Sequence, residues 1–89
     1  MKGLLKFAEK QGFSCKFICD DSDAPEILVE DKETDITVWG RKRFEEWNVS
    51  LAYPSVGLPR PSIEEVEHFA EILQKAIVIA KKFREYNNG

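Results

Sequence analysis

Apolar residues recur along this chain with two different periods, and each change of period marks an element. Leu4, Leu5, Phe7 and Ala8, with Gln11, fall at helical spacing, and Gly12 is placed to let the chain leave that helix through a positive φ. Phe13, Cys15, Phe17 and Cys19 then alternate with Ser14, Lys16 and Ile18, the period of a strand with one face in a core. A loop of Asp, Ser and Pro from Asp20 to Pro25 leads to a second strand, Glu26-Ile27-Leu28-Val29-Glu30. Asp35-Ile36-Thr37-Val38-Trp39 follows after a short polar turn, so these two strands form an antiparallel hairpin that Gly40 is expected to end. Residues 44–53 are ambiguous, but Trp47, Val49, Leu51 and Tyr53 alternate and predict a fourth strand from about Glu46 to Tyr53.

Pro54, Pro59 and Pro61 with Gly57 hold the next stretch extended. Ser62 and Glu65 then form a capping-box pattern ahead of a helix expected over Ile63 to Tyr86. Glu64, Glu65 and Glu67 lie near its positive end, and Lys81, Lys82 and Arg84 near its negative end, so the charges complement the helix dipole. Its predicted core seam is Val66, Phe69, Ala70, Leu73, Ala76, Ile77, Ala80 and Phe83.

One turn departs from that amphipathic pattern. Ala76-Ile77-Val78-Ile79-Ala80 is apolar all round, which calls for a second packing partner beside the sheet. A helix of roughly 24 residues is about 36 Å long, and strands of five to eight residues span about 17 to 26 Å, so its C-terminal part is expected to overhang the sheet. Ile72, Val78, Ile79 and Tyr86 are the residues expected to line a homodimer interface there.

Strands grouped between helices predict an α+β domain. It consists of a short N-terminal helix, a three- to four-stranded antiparallel sheet and a long C-terminal helix packed across one sheet face. At 89 residues, with 43% hydrophobic and 33% charged content, the chain reads as a single folded domain over 1–89. No stretch approaches the roughly 20 apolar residues needed to cross a bilayer, and a cytoplasmic location is the expectation. Two cysteines are too few for the disulfide framework of a small secreted domain. Cys15 and Cys19, about 13 Å apart if both lie on one strand, read as core thiols.

The net charge of −3 is unevenly spread. Between Asp20 and Asp35 the acids Asp20, Asp21, Asp23, Glu26, Glu30, Asp31, Glu33 and Asp35 are opposed by Lys32 alone. The run reads as solvated strand faces and loops, with mimicry of nucleic-acid phosphates as the sharper alternative. It lacks the spacing and central Gly of a calcium loop.

Trp39-Gly40-Arg41-Lys42-Arg43-Phe44 interleaves basic and aromatic residues. It is either a solvated turn or a ligand contact in which Trp39 stacks on a base while Arg41, Lys42 and Arg43 hold phosphates. The overall acidity, together with glutamates at the start of the long helix, disfavours nucleic acid. His68, the only histidine, has Glu64, Glu65 and Glu71 within helical reach and is the candidate centre of a small metal protein or enzyme if two copies meet. Leu58-Pro59-Arg60-Pro61 reads as a rigid crossover. No phosphate loop, nucleophile elbow or zinc-ligand spacing is present.

The expected function is a non-enzymatic interaction or accessory module with a protein partner, working as a homodimer without cofactor. A nucleic-acid-associated protein is the second expectation and a His68-centred metal protein or enzyme the third.

Overall fold

A computed structural model describes residues 2–21, 23–44, 46–54 and 61–85. The element order is α1 (Lys2–Lys10), β1 (Ser14–Cys19), β2 (Glu26–Asp31), β3 (Ile36–Arg43), β4 (Glu46–Ala52) and α2 (Ile63–Glu85). The four strands form one antiparallel meander in the order β1-β2-β3-β4, with both helices on one face. This is the α+β architecture expected from the sequence, and the ambiguous fourth strand is present.

Local chemistry fixes the connections. The α1 helix ends in a Schellman motif: Phe13 N–H donates to the Ala8 carbonyl and Gly12 N–H to the Glu9 carbonyl, with Gly12 at φ 94°. In the β2–β3 turn, the Asp31 carboxylate accepts from the Thr34 amide at 3.0 Å and the Thr34 hydroxyl at 2.6 Å. Asp35 takes a positive φ of 59° there, a conformation that Asp tolerates through local hydrogen bonding. Ser62 caps α2 as the sequence predicts. Its hydroxyl oxygen accepts from the Glu65 amide at 3.1 Å, and the hydroxyl donates to the Glu65 carboxylate at 3.2 Å.

The core lies between sheet and helices. Ile27, Val29, Ile36, Val38 and Trp47 point up from the sheet, and Leu4, Ala8, Phe13, Ile72, Ala76, Ile79 and Phe83 close over them. Phe83 sits against Trp47, with ring centroids 5.4 Å apart, a tilted aromatic pair.

Four expectations change. First, β3 runs through Gly40 to Arg43, so Arg41, Lys42 and Arg43 are strand residues instead of a turn. Gly40 is there because a Cβ would stand 2.8 Å from the Phe83 ring, so it marks a close approach and leaves the strand intact.

Second, the core seam of α2 is rotated to Ile72, Ala76, Ile79 and Phe83, leaving Val66 and Ala70 exposed. The helices α1 and α2 pack together, with the Lys82 ammonium 4.7 Å from the centroid of the Phe7 ring, and within the all-apolar turn Ala76 and Ile79 are buried while Val78 is exposed. Ile72 and Ile79, expected at an interface between copies, are core residues of the chain itself.

Third, the exposed end of α2 is its N-terminal part, Ile63 to His68, whereas the C-terminal part carries the core. Fourth, a β-bulge between Phe17 and Cys19 shifts the phase of β1, so Cys15 is partly buried while Cys19 is exposed. Among the described residues no helix is long and apolar enough to cross a membrane.

Candidate functional site

The sheet has a second face, away from the helices. Because side chains alternate along a strand and Val29 and Val38 lie in the core, Leu28 and Trp39 must point the other way. The register lines up Lys16, Leu28, Trp39 and Ser50 across all four strands, one row of this face. On one side of that row lie Glu26, Arg41 and Asn48, then Arg43 opposite Glu46; on the other lie Glu30 opposite Thr37, with Ala52 beyond. Trp39 is half-buried at the centre of the row, held by its neighbours without belonging to the core.

The basic cluster is thus split by the pleat. Arg41 and Arg43 share the open face with Trp39, while Lys42, opposite Trp47, points to the helix side. Arg41 Nε lies 3.9 Å from an oxygen of the largely covered Glu26 carboxylate, a long, partly solvated pair that orients the guanidinium more than it stabilises the fold. Lys16, Arg41 and Arg43 on this face are matched by Glu26, Glu30 and Glu46. A surface so balanced has no net field to gather phosphates, whereas Trp and Arg beside a Leu are the residue types that dominate protein–protein contacts.

Phe44 stands at the tip of the β3–β4 hairpin, 95% exposed and at φ 51°. A bulky side chain rarely takes that left-handed conformation. Nothing in the local sequence marks Phe44 as exposed, because its apolarity alone suggests burial.

The acidic run is dispersed. Asp20, Asp21 and Asp23 belong to the β1–β2 connection and Asp31, Glu33 and Asp35 to the β2–β3 turn, at opposite ends of β2. Glu26 and Glu30 lie between them on the open face. Asp31 is committed to its turn, and the Asp21 carboxylate accepts from the Asp23 amide at 2.9 Å.

His68 lies on the exposed part of α2, with Nε2 3.1 Å from a Glu33 carboxylate oxygen on the β2–β3 turn. Glu33, Thr34, Pro61, Glu64, Glu65, His68 and Phe69 line an open cleft of about 440 Å³. Among the described residues no three His, Cys, Asp or Glu side chains converge closely enough to hold a metal ion.

Cys15 Sγ is 3.7 Å from the Leu5 carbonyl oxygen. Burial, and then the nearby Glu9 carboxylate, push its pKa above the ordinary thiol value, opposite to what a reactive cysteine needs. Of the residues expected at a helix-mediated interface, Val78 is exposed, Ile72 and Ile79 are in the core, and Tyr86 lies outside the described residues, as does the Leu58-Pro59-Arg60 part of the proline-rich crossover. No known protein family, curated protein or solved structure matches this chain.

Proposed function

We propose that this chain is a non-enzymatic interaction module that binds a protein partner through the open face of its sheet and works as a homodimer. The observation that carries the reading is Trp39, half-buried at the centre of that face between Leu28 and Ser50, with the Arg41–Glu26 pair beside it. An aromatic anchor within a rim of balanced charges suits desolvation against another protein surface.

Nucleic acid is the rival ligand, since Arg41 and Arg43 run beside Trp39. The three glutamates on the same face weigh against it.

Nuclease-treated pull-downs followed by direct titration of the recovered partner test the proposal. Trp39→Ala is expected to keep the fold and weaken binding at least about 30-fold, the loss typical of a central hot spot of about 2 kcal/mol. Undiminished binding by Trp39→Ala would reject the surface. Recovery of nucleic acid, with an affinity that drops steeply as salt rises, would replace the protein reading.

A further inference from the structure

Among the described residues the β1 strand is one edge of the sheet and pairs only with β2. Its register sets Phe17 opposite Ile27, in line with Gly40 and Val49, on the face that carries the core. Yet Phe17 remains 50% exposed, and so does Ile18 beside it. A core-facing Phe left half in solvent means that the hydrophobic layer stops short at this edge. Edge strands normally guard themselves with charge or irregularity, and within Ser14–Cys19 the only charged residue is Lys16 and the only irregularity the bulge at Ile18.

We infer that β1 is the homodimer seam: a second copy adds its own β1 antiparallel to this one, with the two-fold axis at Phe17, making one continuous eight-stranded sheet. This rests on the homodimer reading above and moves its seam from α2 to the sheet edge.

The symmetry selects the register. Antiparallel pairing of like edges places the two-fold axis perpendicular to the sheet, so both helical layers stay on one face and facing residue numbers sum to an even number. An axis at Lys16 would set two ammonium groups opposite each other, which is unfavourable. An axis at Phe17 sets the two rings side by side where each copy's core layer ends.

The charges flanking the strand agree with that arrangement. Lys10 closes α1 just before β1, and Asp20, Asp21 and Asp23 follow it. Glu9 stands beside Lys10, so that flank carries no net charge; antiparallel pairing keeps the two acidic flanks of Asp20, Asp21 and Asp23 apart and brings each towards the other copy's Lys10, whereas a parallel arrangement would set the two acidic flanks side by side.

The test uses the full chain in two steps. Sedimentation at tens of micromolar is expected to show a dimer. Phe17→Cys in a Cys15→Ser, Cys19→Ser background is then oxidised with diamide, alongside Val78→Cys in the same background. Facing residues on paired strands have Cα atoms about 4.5 to 5.5 Å apart, within disulfide range, so the Phe17→Cys chain becomes mostly disulfide-linked dimer and the Val78→Cys chain does not.

A dimer that cross-links through position 78, or not at position 17, overturns the β1 seam and leaves the homodimer standing. A monomer overturns both and leaves the Trp39 surface to its own test. Should the cysteine variants fail to fold, amide exchange of the native chain decides: protection of Cys15 to Cys19 rises with protein concentration if β1 is the seam. Concentration-independent exchange there overturns the proposal.

Discussion

Single atoms decide several of the packing choices in this domain. Gly40 is the clearest case, because its missing Cβ lets the Phe83 ring lie directly on β3. Gly40→Ala is expected to overpack that contact and cost about 1 to 3 kcal/mol, read as a lower urea midpoint. An unchanged midpoint would mean that Phe83 swings aside without loss. The two thiols differ for equally local reasons. Burial first, and Glu9 second, disfavour the Cys15 thiolate and raise its pKa, whereas Cys19 stands exposed to solvent. Iodoacetamide at about pH 8 should therefore alkylate Cys19 first, with Cys15 following as the pH is raised; equal rates would contradict the burial.

Among the elements, the β3–β4 hairpin holds the least economical conformation. Phe44 gains no burial at the tip and sits at positive φ, so Phe44→Gly should raise stability by about 1 kcal/mol, visible as a higher melting temperature. A lower melting temperature would show that the Phe44 side chain has a contact worth more than the strain. The alternation of Trp47, Val49 and Leu51 suggests the fourth strand within an ambiguous stretch, and Ser62 with Glu65 marks the cap of α2, because these signals act within one element. The extent of β3 is not marked in this way. A glycine that ends a strand and a glycine that admits a ring look the same until the ring's position is known.

For the molecule as a whole, the question is how so few residues hold a long helix in place. Stability of about 0.05 to 0.15 kcal/mol per residue gives a chain of this length only about 4 to 13 kcal/mol in all. The α1 helix, nine residues long and too short to persist alone, still supplies Leu4 and Ala8 to the core and covers the second flank of α2. Leu4→Ala is expected to cost about 2 to 5 kcal/mol, a large part of the total, and a urea midpoint that barely moves would show that α1 merely rests on the surface.

The order and type of the elements followed from periodicity, capping and turn chemistry, all carried by residues within a few positions of one another. The surroundings of Ala76 to Ala80 did not, because they depend on where remote elements of the chain land. The same reason governs the candidate site. Trp39, Arg41, Lys42 and Arg43 stood out by composition, but the split of Arg41 and Arg43 from Lys42 required β3 to continue through Gly40. The row from Lys16 to Ser50 joins residues from four strands, and only the register between those strands could assemble it.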